Sequence, residues 1–266
     1  AFYIFLVHMF TAQRPFIEPG LFRDRNFATG LFLMLMMGVM LFSTLALMPP
    51  FLQNLLGYPV IDAGLLLAPR GIGTMVAMVI VGRLIGRVDA RWLLLFGISL
   101  TALSLWDMAA FSLDVGVGSI VYTGIVQGVG MGFLFVPLST AAFSTLAPHY
   151  RNEGTSMFSL IRNLGSSIGI AVVINVLSHQ AQTSHSEIVN SLEPLRAAMD
   201  PAALPGVWNW GTSAGAAALN AEVTRQALMI AYLNDFRLMM YLTLLSIPLL
   251  VLLRAPRAAA RSPARA

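Results

Sequence analysis

Between residues 27 and 253 the chain returns six times to a long, nearly uncharged apolar run, and that recurrence restricts it to a helical membrane bundle. A helix crossing ~30 Å of hydrocarbon at ~1.5 Å per residue needs about 20 mostly apolar residues. Residues 27–48, 61–82, 92–113, 118–140, 155–177 and 231–253 meet that requirement, and they are numbered here as the first to sixth spans. The run from Val60 to Val81 is rich in Val and Ile but too long for a strand. Composition agrees: mean hydropathy is +0.76 and only 11% of residues are charged. A water-facing surface needs roughly 25%. Residues 1–12 are also apolar, with no basic region before them and no small-residue cleavage site after them. We read them as the end of a truncated transmembrane helix rather than a signal peptide.

Arginine sets the orientation. All 16 basic residues are Arg. Arg14, Arg23 and Arg25 fall in the connector 13–26, Arg83, Arg87 and Arg91 in loop 83–91, Arg151 in loop 147–154, and four more in the tail 254–266. These are alternate loops, so the positive-inside rule makes them cytoplasmic and places the C-terminus inside. Connections 49–60 and 114–117 hold no Arg, and the long segment 178–230 is balanced by acidic residues, so these lie outside. The tail reads as a disordered stretch whose arginines favour an anionic leaflet by ~1 kcal/mol each. Charge spread between spans, rather than gathered on one face, excludes nucleic acid as a partner. With no cysteine and no zinc spacing among His8, His149, His179 and His185, no metal site or cofactor is expected. No catalytic constellation is present either, so the chain is not read as an enzyme.

Polar groups inside the spans are the candidate functional residues, because hydrocarbon makes them costly. Arg70 lies ~13 Å into the second span, near the midplane, flanked by Pro69 and Gly71. It is expected to face a cavity or a carboxylate outside this chain, with a buried structural pair within the chain as the alternative. Arg162 and Asn163, about two turns into the fifth span, divide between a cavity role and a structural one. Gln127, midway along the fourth span, serves a substrate or a neighbouring helix. Gln53 and Asn54 sit at the outer mouth, as a gate hydrogen bond or as caps. Asp107 and Asp235 read as interfacial. Gly124, Gly128 and Gly132, and Gly165 with Gly169, have the G-x-x-x-G spacing that lets helix backbones approach closely. Met34, Met36, Met37 and Met40 suit either a promiscuous cavity or plain core packing. Ile188, Leu192, Leu195 and Met199 recur at helical spacing, so the fifth span is expected to continue outward as an amphipathic helix. Pro201, Pro205 and Gly206 should break it, Trp208 and Trp210 suit a headgroup-level anchor, and a second helix should start near Ala214. His179 and His185 are expected to be solvated.

Several stretches carry a family likeness. Arg14-Pro15-Phe16 through Leu21-Phe22-Arg23-Asp24-Arg25-Asn26-Phe27, the run from Phe51 to Pro59 followed by Ala63-Gly64 and Pro69, and Leu160 to Gly169 occur in an order that resembles the C-terminal half of EmrB/QacA-type multidrug:proton antiporters. These are fourteen-helix members of the major facilitator superfamily. Residues Gly82-Arg83-Leu84-Ile85-Gly86-Arg87-Val88-Asp89-Ala90-Arg91 are similar to that superfamily's cytoplasmic gating motif, G-x-L-a-D-r-x-G-r-k. The motif's Asp position is Gly86 here, and its second Gly is Asp89. A gating role and plain topology-setting arginines both remain open; Gly82 and Gly86 are expected to permit close helix contact. The resemblance implies an all-α membrane protein whose residues 27–253 form the six-helix C-terminal bundle of a transporter. It further implies a missing N-terminal half as partner, and export of small amphipathic compounds by alternating access with proton antiport. A bacterial inner-membrane location and a periplasmic adaptor on the outer loop, for which a simple lid is the alternative, would follow. A dedicated substrate (siderophore, lipid or peptide) and a non-transport membrane scaffold are the other readings.

Overall fold

The computed structural model describes residues 19–198 and 208–253, and these form helices with short connections. The run 1–12, the first part of the connector, the breaks at Pro201, Pro205 and Gly206, and the tail 254–266 lie outside the described residues. Asp24 starts the first helix, α1 (Arg25–Pro50), by accepting the Phe27 N–H at 3.0 Å. Pro49 and Pro50 at its end lack the N–H that a regular turn would use. The chain continues as a wider π turn over Phe51–Leu55, closed by Leu56 N–H donating to the Phe51 carbonyl at 3.1 Å. Gly57, at φ +75°, then turns the backbone into α2 (Val60–Leu84).

The return from α2 is equally local. Gly86 takes φ +88°, and Asp89 caps α3 (Ala90–Met108) by accepting the Arg91 N–H at 3.0 Å. The third span ends earlier than its apolar run, at Met108, where Ala109 and Ala110 close a turn on the carbonyls of Leu105 and Asp107. Helix α4 covers Val117–Phe143. Helix α5 runs unbroken from Arg151 to Ala198, 48 residues or about 72 Å at ~1.5 Å per residue. That is more than twice the hydrocarbon thickness, so the fifth span does continue well past the bundle. Helix α6 (Ser213–Leu245) returns alongside it, and a 3-10 turn over Pro248–Leu252 ends the described chain. Among the described residues, five helical stretches are long and apolar enough to cross a membrane, and α3, with 19 residues, is the shortest of the six α-helices and not one of the five.

Packing pairs α2 with α4, α1 with α5, α3 with α4, and α6 with both α5 and α3. Close approach at the first two pairs depends on glycine. A Cβ on Gly128 would run into the Arg70 carbonyl, and one on Gly132 would lie 2.5 Å from Ala77 Cβ. Across the other pair, Gly38 meets the Arg162 carbonyl, Gly165 meets the Leu35 carbonyl, and a Cβ on Gly169 would sit 2.6 Å from Ser43 Oγ. Gly124 is looser, with Arg70 Cβ at 3.8 Å from its Cβ position. Gly82 and Gly86 do not behave as their motif-like setting led us to expect. Nothing stands within 4 Å of either Cβ position: Gly82 is on an open helix face, and Gly86 serves the turn.

Besides a small cluster of Ala77, Val81, Leu93 and Phe133, two large apolar clusters fill the bundle among the described residues. One gathers Leu21, Phe27, Leu94, Leu146 and Leu253 at the arginine-bearing end, where Arg91 donates to the Leu253 carbonyl and Thr145 donates to Asp24 at 2.8 Å. The other surrounds Phe51, whose ring packs edge-on to Tyr232 at 5.3 Å and Phe236 at 5.9 Å. Beyond that second cluster α5 and α6 form a protruding hairpin, tied by His185 Nε2 to Asn220 Oδ1 at 3.1 Å. His185 is half-buried and hydrogen-bonded rather than solvated, whereas His179 is exposed.

Candidate functional site

Arg70 is the buried basic residue of the bundle among the described residues. It is the eleventh residue of α2, only 8% of its surface is exposed, and its guanidinium makes no hydrogen bond or ion pair among the described residues. Its backbone lies against Gly128 and its Cβ against Gly124, so the bare face of α4 is what lets the arginine sit there. Its own carbonyl accepts from Thr74 Oγ1 at 3.0 Å, one turn on. Gln127, adjacent to Gly128 on α4, is fully buried. Its Nε2 donates to Thr44 Oγ1 of α1 at 3.4 Å, while its Oε1 has no partner. Thr44 in turn donates to the Met40 carbonyl at 2.9 Å, and the neighbouring Ser43 hydroxyl is buried without a partner. Three helices thus bring Arg70, Gln127, Thr44 and Ser43 to a similar depth, ~15 Å from the π-turn end.

Beside Arg70, though not reached by Gln127, Thr44 or Ser43, opens a cavity of about 630 Å³, within the range of ligand pockets. Leu45, Leu67, Arg70, Thr74, Met75 and Met78 line it. A guanidinium at the base of an apolar wall can hold a polar or charged headgroup while thioethers and leucines take the rest of the molecule. Sequence reasoning missed Ser43, Thr44, Thr74, Met75 and Met78. The Ser43-Thr44 pair inside an apolar run was a usable signal, but Met75 and Met78 were indistinguishable from lipid-facing residues. The methionines singled out in the first span are elsewhere: Met34, Met37 and Met40 are buried in the core, and Met36 packs against it.

The remaining candidates do not join this group. Arg162 is half-buried on α5 with an unpartnered Nε, against Gly38, about a turn and a half along α1 from Thr44. Asn163 faces out from the bundle. Gln53 is half-buried and Asn54 exposed on the π turn, at the far end of α1. Of the motif-like residues, Arg83, Arg87 and Asp89 are exposed at the turn between α2 and α3, and Asp89 acts as a helix cap. Arg91 reaches across to the end of the chain at Leu253. Asp235 departs from its interfacial reading. It is fully buried beside Tyr232 and Phe236, and neither carboxylate oxygen has a partner among the described residues. Its neighbours Tyr232 and Phe236 pack on Phe51 of the π turn, a long-range contact that the linear position of Asp235 could not reveal.

Comparison with known proteins places this architecture. The family model described as Major Facilitator Superfamily matches residues 8–170. The chain is 32% identical over 219 residues to a multidrug resistance protein B homolog of Mycobacterium tuberculosis, covering 77% of this chain and 40% of that protein. It is 27% identical over 190 residues to the multidrug export protein EmrB of Escherichia coli, covering 71% of this chain and 37% of the relative. It is 26% identical over 254 residues to the fatty acid resistance protein FarB of Neisseria gonorrhoeae, covering 95% of this chain and 50% of that protein. The chain therefore spans half or less of the length of these relatives. Among solved structures, a bacterial homolog of the human lysosomal transporter Spinster, inward-facing and unoccupied, superposes with a TM-score of 0.58 at 16% identity. That match covers 93% of this chain and 53% of the other, which is a likeness of fold. Six paired helices with glycine-mediated contacts, and a family model that spans most of them, lead to one conclusion: the chain belongs to the major facilitator superfamily, in the company of multidrug transporters rather than enzymes.

Proposed function

We propose that this chain is the C-terminal half of a secondary transporter that exports amphipathic compounds, with the cavity beside Arg70 as its share of the substrate site. The observation that carries the reading is the unpartnered guanidinium at mid-depth beside an open apolar cavity. A buried charge without a partner is expensive, and a scaffold has no use for one. The companion is an N-terminal bundle, matched in length by the part of the relatives that this chain does not span. Alternating access then consists of the two bundles rocking about a site near the midplane. The drug-export names of two relatives support efflux as the direction, and proton antiport as the coupling is proposed by the same likeness. The arginine asymmetry supports a bacterial inner-membrane protein with a cytoplasmic C-terminus. The α5–α6 hairpin then projects into the periplasm, in position for an adaptor.

A second reading, a dedicated lipid-like substrate, is favoured by the fatty acid resistance relative, which aligns with nearly all of this chain. The test of both is efflux from everted vesicles by the whole transporter. Arg70→Ala is expected to lower efflux of its substrates roughly tenfold or more while membrane insertion is unchanged. Undiminished efflux of every transported compound would remove Arg70 from the site.

A further inference from the structure

We propose that the cavity beside Arg70 selects amphipathic anions, a carboxylate headgroup pairing with the guanidinium and an alkyl or aryl tail lying along Leu45, Leu67, Met75 and Met78. This rests on reading the cavity as a substrate site and adds the sign of the charge that it takes. An arginine keeps its charge in proteins, so a buried guanidinium must find an anion, a set of carbonyls or water. Arg70 has none of the first two among the described residues.

The charges around it show why the ligand should be the anion. Helix α4, packed directly against Arg70, carries no charged residue from Val117 to Phe143. Helix α1 has only Arg25, at its far end. On α2 the one carboxylate is Asp62, exposed and eight residues away, ~12 Å along the helix. On α5 the nearest charge at membrane depth is another arginine, Arg162; Glu153 lies in the first turn, and Glu187 lies beyond the bundle in the hairpin. Asp235 is fully buried on α6, a helix that contributes no lining residue to the cavity, although Met239 one turn on touches Thr44 at 3.9 Å. The helices that border the cavity therefore present positive charge and no negative charge at this depth. A carboxylate meeting the guanidinium forms charge-assisted, potentially bidentate hydrogen bonds, strengthened by the dry surroundings. A cationic amphipath would add a like charge in the same apolar setting.

The competing source of an anion is a carboxylate of the companion half, and the experiment separates the two. The whole transporter, in nanodiscs of zwitterionic lipid, is titrated with two fluorescent probes of equal tail length, one ending in carboxylate and one in trimethylammonium. The carboxylate probe is expected to bind, and Arg70→Gln to weaken it by at least about tenfold, with partial recovery in Arg70→Lys. Thr74→Glu places a carboxylate one turn from Arg70 and is expected to abolish anion binding and admit the cation. It stands as an independent variant should Arg70→Gln fail to insert. Equal carboxylate binding by the parent, Arg70→Gln and Thr74→Glu would overturn the proposal and assign the guanidinium to an internal ion pair. A parent protein that binds the cation and not the anion would overturn it while leaving the cavity as a substrate site. Binding of neither probe would count against the cavity reading itself.

Discussion

Buried polar residues in this bundle fall into two kinds, and the difference is what surrounds them. Arg70 has a cavity beside it, whereas Asp235 is fully buried next to Tyr232 and Phe236 with no partner among the described residues. An isolated carboxylate in such a place loses hydration without regaining a hydrogen bond, so nothing in the fold depends on its charge. Asp235→Asn preserves its shape and is expected to leave the unfolding midpoint in detergent unchanged or higher. A fall of more than about 4 °C, ~1 kcal/mol for a protein of this size, would show that the carboxylate has a partner in the folded protein. Arg70 and Gln127 were legible in the sequence because charged and amide side chains stand out in apolar runs. Thr74, a lone hydroxyl in an apolar run, was not, since a hydroxyl can satisfy itself on its own helix, as this one does on the Arg70 carbonyl.

At the level of helices, glycine spacing identified true contacts where the neighbour is another backbone and misled where it is a turn. Gly128 and Gly165 each meet a carbonyl of the facing helix, whereas Gly82 meets nothing. A backbone neighbour cannot move aside, so Gly128→Val is expected to push α2 and α4 apart and lower stability by about 1–3 kcal/mol or more. Gly82→Ala is expected to be neutral or to stabilise by up to about 1 kcal/mol, through helix propensity alone. Thermal unfolding of the two variants in the same detergent checks both; similar losses would mean that α2 packs through Gly82 after all. Five of the six spans were readable from hydropathy because span length is dictated by the bilayer; the third, α3, is a helix but not among the five long and apolar enough to cross. Their ends were less so. Pro49-Pro50 converts the end of α1 into a π turn rather than stopping it, and α3 closes at Met108 although apolar residues follow. Both outcomes depend on backbone hydrogen bonds that hydropathy does not encode.

For the whole molecule, the open cavity and the apolar faces of α2 and α5 belong together. Ile61, Leu65, Ile72 and Met75 on α2, with Leu164, Ile168 and Val172 on α5, are exposed, and lipid or a companion bundle must cover them. A half-cavity cannot close on both sides, so residues 1–266 alone in proteoliposomes are expected to show no dye efflux; active efflux by that chain would contradict the two-bundle proposal. The central claim is narrower: the face of α2 bearing Arg70 and Thr74 lines a water-accessible cavity inside a membrane protein. Residues 1–266 contain no cysteine, so a cysteine placed among them is unique within this part of the protein. In the whole transporter, Thr74→Cys should react with a membrane-impermeant maleimide and be protected by substrate. Thr101→Cys, buried between α3 and α4, should stay unlabelled until the protein is denatured. Labelling of the second and not the first would place the cavity on the wrong side of α2.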